Sequence, residues 1–205
     1  SGEAPLCLTA SPMNPCTISA TDCLTLTIVP LPTAFAGADA TICEDATYEL
    51  SDAFAENYSS VLWSGGDGQF DDKTSINPTY EPGADDIAAG EANLCLTAEP
   101  LDPCTLTATD CMTLAIVPQP FAFAGEDAVI CSDGVYGLND AYAKNLSSFI
   151  WTGGDGNFDD PTSMNPAYFP GVEDITLGEV TLCLTASPLD PCTISATDCL
   201  TLPIV

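Results

Sequence analysis

The chain repeats itself at a fixed spacing of 88 residues. The stretch LCLTASPMNPCTISATDCLTLTIV at 6–29 recurs as LCLTAEPLDPCTLTATDCMTLAIV at 94–117 and as LCLTASPLDPCTISATDCLTLPIV at 182–205. Residues 30–117 align with 118–205 without a gap, and 57 of the 88 positions are identical. A period of this kind marks stacked supersecondary units that share a continuous core with their neighbours. The chain therefore reads as two whole repeats, 30–117 and 118–205, preceded at 1–29 by the C-terminal hairpin of another. A domain is not expected to begin with its own final hairpin. The 205 residues are either a segment of a longer array or a subunit whose N-terminal piece completes a neighbour, and both readings point to polymers.

Within a repeat the pattern is all β. Ala92, Leu94, Leu96 and Ala98 alternate with Asn93, Cys95 and Thr97, while Met112, Leu114 and Ile116 alternate with Cys111, Thr113 and Ala115. Period-two alternation predicts strands with one buried face. No segment shows a comparable helical period. Turn signals at Glu44-Asp45, Gly65-Gly66-Asp67-Gly68, Asn77-Pro78, Glu81-Pro82-Gly83 and from Pro100 to Pro103 divide the repeat into about seven strands. These are placed near 33–43, 46–51, 59–64, 68–71, 76–80, 91–98 and 105–117, which predicts tandem immunoglobulin-like β-sandwich modules of 88 residues. Trp63 and its counterpart Trp151 fall where a sandwich buries a large aromatic. The repeats join through Val29-Pro30-Leu31-Pro32 and Val117-Pro118-Gln119-Pro120, semi-rigid spacers because proline fixes φ.

Charge excludes several functions. Thirty Asp and Glu stand against two Lys, no Arg and no His, for a formal charge of -28. Lys73 and Lys144 alone cannot neutralise a phosphate backbone or an anionic membrane, so no nucleic-acid partner is expected. No run of about 18 apolar residues is present to insert in a bilayer, and the N-terminus SGEAPLC lacks the features of a signal peptide. The chain is expected to be soluble, with any export signal removed or outside this segment. With 46% hydrophobic residues it should nonetheless fold. Lacking His and nearly all cations, an enzyme would have to work with carboxylates, hydroxyls and thiols alone, and no catalytic residue is assigned.

The stretches AGADATICEDATYEL, NYSSVLWSGGDGQFDDKTSINPTYEPGADDIAAGEANLCLTA and PCTLTATDCMTL resemble the tandem immunoglobulin-like or PKD-like repeats of long secreted surface proteins of Bacteroidetes-type bacteria. The elements W-x-G-G-D-G-x-F, N-P-x-Y-x-P-G and D-I-x-x-G carry the resemblance in fixed order, and it covers both repeats and the initial fragment. It implies an exported β-sandwich of adhesins, stalks and filaments, and no catalysis. Cys95 and Cys111 stand where that family commonly has Thr.

Eleven cysteines are present. Each repeat holds four, Cys43, Cys95, Cys104 and Cys111, then Cys131, Cys183, Cys192 and Cys199, and the initial fragment adds Cys7, Cys16 and Cys23. Neither closely paired thiols nor His partners are available for zinc. Export, suggested by the resemblance and the acidic repetitive composition, favours disulfides. If Leu94, Leu96 and Met112 face the core, Cys95 and Cys111 face outward on neighbouring strands. Folding about Pro103 sets them opposite each other, which predicts bonds between Cys95 and Cys111, Cys7 and Cys23, and Cys183 and Cys199. The competing reading is free thiols at a packed contact between subunits. In a sandwich Cys43 and Cys104 belong to opposite poles, and a disulfide spans only about 5.5 Å between Cα atoms. Head-to-tail stacking then predicts a bond from Cys43 to Cys192, with Cys16 and Cys131 pairing across the ends of the segment. The resemblance leaves an intramodule bond between Cys43 and Cys104 as a competitor.

Asp67, Asp71 and Asp72 cluster in GGDGQFDD, and Asp155, Asp159 and Asp160 repeat them. Calcium takes six to eight oxygens, so these six carboxylates are candidate ligands. The spacing is not that of an EF-hand, and Gly-Asp-Gly is also an ordinary turn, which is the preferred reading. Paired carboxylates for glycoside hydrolysis would need a cleft that duplicated surface turns do not suggest. Asn57-Tyr58-Ser59 and Asn145-Leu146-Ser147 form sequons at equivalent positions. Together these residues predict an extracellular or cell-surface structural protein, a disulfide-reinforced filament, stalk or sheath that partners itself. The alternative is an adhesin module that binds glycans or proteins. Polymerisation by one long chain, by disulfides or by exchange of the 1–29 segment all remain open at this point.

Overall fold

Segments with period-two alternation form paired strands in the computed structural model, which describes residues 2–205. The fold is all-β apart from two six-residue helices, Ala84–Ala89 and Val172–Leu177. It comprises two compact units: residues 2–39, Glu49–Tyr80 and Asn93–Thr113 make one, and Ala40–Tyr48, Glu81–Ala92 and Leu114–Val205 make the other. Among the described residues no helix is long and apolar enough to cross a membrane.

In the first unit, Gly2–Ala10 and Ala20–Ile28 form an antiparallel hairpin in which Cys7 lies opposite Cys23. Thr33–Phe35 pairs with Phe54–Glu56, and Tyr58–Ser64 pairs with the stretch from Cys95 to Pro100 across a bulge at Glu99 and Pro100. Trp63, Tyr80, Leu50, Leu94, Leu96 and Met112 are buried; of these, alternation places Leu94, Leu96 and Met112 inward. The Trp63 indole donates to the Ile76 carbonyl at 3.2 Å. The Asn77 amide closes the turn before it by donating to the Leu50 and Ala53 carbonyls at 2.7 and 3.1 Å.

In the second unit, Ala40–Cys43 runs parallel to the strand end from Leu114 to Val117. Leu146–Gly153, Glu179–Pro188 and Ala196–Pro203 form a three-stranded antiparallel sheet. Asn157–Phe158, Ala167–Phe169 and Tyr136–Gly137 form another. Trp151, Tyr168, Leu138, Leu182, Leu184, Leu200 and Leu202 pack in one core cluster.

Three features differ from the strand assignment made on sequence. The expected strand 33–43 is two strands, Thr33–Phe35 and Ala40–Cys43, separated where Gly37 adopts φ 102°. Phe54–Glu56 is an additional short strand. The segments before Glu91 and Glu179 are helices, although no helical period is visible there. Six residues are fewer than two turns, too short for a 3.6-residue period to show. What defines these helices is their ends. Asp86 and Asp174 at the third helical position accept the amides of Gly83 and Gly171 at 3.2 and 3.0 Å, and Gly90 and Gly178 close them in the left-handed region.

Candidate functional site

The last hairpin of each repeat has one construction. Cys95 and Cys111 are disulfide-bonded with Cα atoms 4.0 Å apart, as are Cys183 and Cys199 at 4.0 Å and Cys7 and Cys23 at 4.1 Å. Beyond each bond a pair of threonine hydroxyls meets: Thr97 with Thr109 and Thr185 with Thr197 at 3.0 Å, and Thr9 with Thr21 at 2.9 Å. The cysteines and threonines lie on one face and the leucines on the other, as a pleated strand requires.

The three hairpins differ in what covers the leucine face. Leu94, Leu96, Leu182 and Leu184 are wholly buried, whereas Leu6 and Leu8 are 53% and 79% exposed and Leu24 and Leu26 59% and 50%. A polar anchor changes in the same way. The Asp110 carboxylate accepts the Ala36 amide at 2.8 Å, and that of Asp198 accepts the Ala124 amide at 2.8 Å. Their counterpart Asp22 accepts the neighbouring Cys23 amide at 3.1 Å. Sequence reasoning did not single out this aspartate. The threefold recurrence of Thr-Asp-Cys, at 21–23, 109–111 and 197–199, was the signal available.

Cys43 and Cys192 form the fourth disulfide, with Cα atoms 4.9 Å apart and both residues buried. Strand pairing explains their meeting. Cys43 is aligned with Val117, whose carbonyl accepts the Glu44 amide at 2.9 Å, and Cys192 Sγ lies 3.4 Å from that same carbonyl. One cysteine of each repeat is thus held at the spacer between them. Cys104, the competing partner for Cys43, is unbonded and half-buried, with its Sγ 3.6 Å from the Val29 carbonyl. Cys16 and Cys131, expected to pair with each other, are both unbonded and exposed.

The acidic turns are tied down by backbone. Asp71 accepts the amides of Asp72 and Thr79, and Asp159 those of Asp160 and Ala167. Asp72 accepts the amide and hydroxyl of Thr74, and Asp160 those of Thr162, which holds both carboxyls below their ordinary pKa. Asp155 accepts the Asp174 and Glu173 amides at the helix N-terminus, both at 3.0 Å, and its pKa is lowered chiefly by these two bonds. Gly68, next to Asp67, donates its amide to the Tyr80 hydroxyl at 2.9 Å. Beneath the second turn the Tyr168 hydroxyl donates to Asp174 at 2.5 Å, and burial first, then this bond, pushes the phenol above its ordinary value. Among the described residues, no three acidic or thiol groups converge so as to hold a metal ion. The sequon asparagines serve as turn residues. Asn57 and Asn145 both adopt φ 55°, and the Asn145 amide donates to the Gln119 carbonyl at 3.2 Å.

No family model matches the chain, and no curated protein does. Solved structures do match in fold. Protocadherin Gamma C5 EC1-3 superposes with a TM-score of 0.55 at 12% identity, covering 99% of this chain and 78% of that one. Human CDH23 EC21-23 gives 0.54 at 16% identity, over 89% and 68%. Protocadherin Gamma B7 extracellular cadherin domains 1-4 gives 0.52 at 16% identity over 99% of this chain, which spans 58% of that chain's length. The likeness establishes a cadherin-like, immunoglobulin-like β-sandwich fold. None of these neighbours is a PKD-like or bacterial repeat.

Proposed function

We propose that the protein is an exported structural repeat protein, a building block of an extracellular filament, stalk or sheath of the kind its motifs resemble. The observation that carries this reading is the bond between Cys43 and Cys192, which ties one repeat to the next past their spacer. A tie of sequence separation 149 shields most of the chain from tension applied at its ends. The cross-strand bonds of the hairpins add resistance to unzipping, since a covalently closed hairpin cannot peel strand from strand. Extracellular placement fits this chemistry, because disulfides persist in oxidising surroundings. The cadherin-like sandwich is compatible with the same role and with the alternative, an adhesin module that displays a glycan- or protein-binding surface. Electron microscopy of the assembled material separates the two. Ordered fibres are the expected result; dispersed particles with saturable affinity for a glycan or a cell surface would favour the adhesin.

A further inference from the structure

Each repeat carries a short two-stranded ribbon whose outer face is left to solvent. In the first, Thr33–Phe35 pairs with Phe54–Glu56, and in the second Phe121–Phe123 pairs with Tyr142–Lys144 in the same register. Alternation turns Ala34, Ala55, Ala122 and Ala143 inward and their neighbours outward. The outward side chains are largely aromatic. Phe35 and Phe54 are exposed, with ring centroids 5.2 Å apart. Phe121 and Tyr142 are exposed and stacked at 5.5 Å, and Phe123 tilts against Tyr142 at 5.3 Å. The first ribbon is bare with a whole repeat after it and the second with a whole repeat before it, so the exposure belongs to the repeat itself. Rings clustered on a surface mark a contact.

The two faces differ in charge at one position. Glu56 lies opposite Thr33 in the first ribbon, and Lys144, its counterpart 88 residues on, lies opposite Phe121 in the second. Both are exposed. The chain has only two cationic side chains, and one of them stands here, with its Nζ 5.7 Å from the centre of the Tyr142 ring. The two ribbons are thus alike in shape and apolar character and opposite in sign.

We infer that these ribbons join copies of the chain: the face of Phe35, Phe54 and Glu56 on one copy packs against the face of Phe121, Tyr142 and Lys144 on another, with Glu56 paired to Lys144. The inference rests on the reading of the protein as a self-assembling structural subunit, and it supplies a joint between subunits. Charge selects the combination. Two first ribbons would set Glu56 against Glu56, and two second ribbons Lys144 against Lys144, while the mixed pair sets opposite charges together. A contact between unlike faces leaves one ribbon of each kind free on the assembly, so growth continues by the same step. Four outward side chains on each ribbon fall short of the about 20 to 30 residues a side of a stable interface. A single contact is therefore weak and forms as protein concentration rises.

The test sizes the full chain, its free thiols alkylated, by sedimentation velocity over a concentration series. Sodium chloride at about 150 mM screens repulsion beyond about 8 Å and leaves contact pairs intact. Lys144→Glu, Glu56→Lys and the two together are measured beside the wild type, for which oligomers that grow with concentration are expected. Each single substitution sets like charges together and should weaken association about three- to tenfold. The double substitution restores both the pair and the wild-type net charge, and should recover association. Glu56→Lys is the decisive arm, because it makes the chain less negative: if overall repulsion alone governed association, this variant would associate more strongly than the wild type. That result, a double variant no stronger than the single ones, or oligomers equally abundant in all four proteins would overturn the contact. The ribbon faces would then be left to another occupant such as a glycan, with the structural-protein reading still standing. A chain that stays monomeric at every concentration and forms no fibres overturns both.

Discussion

Two tryptophans at equivalent positions are held differently. Trp63 donates its indole N–H to the Ile76 carbonyl at 3.2 Å, while Trp151, buried as deeply, has no partner for its own. Phenylalanine at either position removes comparable apolar surface, but at 63 it also leaves a carbonyl without its donor. Trp63→Phe should therefore destabilise by about 1 kcal/mol more than Trp151→Phe, measured by denaturant unfolding. Equal losses would show that the indole bond contributes nothing. Asp155 gives a pH prediction. Its folded pKa is depressed by the Asp174 and Glu173 amides. The stabilisation is thus complete above the unfolded value near 4 and is lost as pH falls through the folded one. Asp155→Asn should lower the melting temperature at pH 6 and have a smaller effect once the pH has fallen below the folded value, because protonation then weakens the wild type as well. A deficit constant with pH would refute this assignment.

At the scale of elements, period-two alternation was enough to read the strands that bury Leu94, Leu96 and Met112, and with them the opposite face on which Cys95 and Cys111 lie. It was not enough for segments whose form is set by their ends. Val172–Leu177 and its counterpart have no periodic face to read; an aspartate at the third position and a glycine after the last turn define them. Gly178 adopts φ 77°, where a side chain is strained, so Gly178→Ala should cost about 1 kcal/mol in thermal or denaturant melts. The candidate site was legible to the same degree. Cysteine spacing and strand faces place residues within one hairpin. Asp22, Asp110 and Asp198 act on backbone amides some 74 residues away in the two covered cases, a relation no local pattern encodes. Closing a loop of sequence separation 16 predicts that Cys95→Ser with Cys111→Ser costs about 3 kcal/mol. Unchanged stability would remove the reinforcing role assigned to that bond.

For the whole molecule, charge and the long disulfide dominate. At -28, with Lys73 and Lys144 the only cationic side chains, self-repulsion opposes compactness at every ionic strength low enough to leave it unscreened. Adding sodium chloride from about 10 to about 150 mM, which shortens the screening length severalfold, should raise the melting temperature. A fall would mean that attractive charge pairs outweigh repulsion. Pulled from its ends, the chain should be short when oxidised, because force passes through the bond between Cys43 and Cys192. Cys192→Ser should release an added length on the order of 400 Å while the hairpin bonds stay closed.

The claim on which this account turns is that successive repeats are joined covalently, and disulfide mapping of the intact chain tests it most directly. Trypsin has only two sites, so digestion at acidic residues followed by mass spectrometry without reduction is the suitable measurement. A peptide linking Cys43 to Cys192 is the predicted result. A peptide linking Cys43 to Cys104 would confine the bond to one repeat, and the reading of the chain as a covalently tied structural array would be wrong.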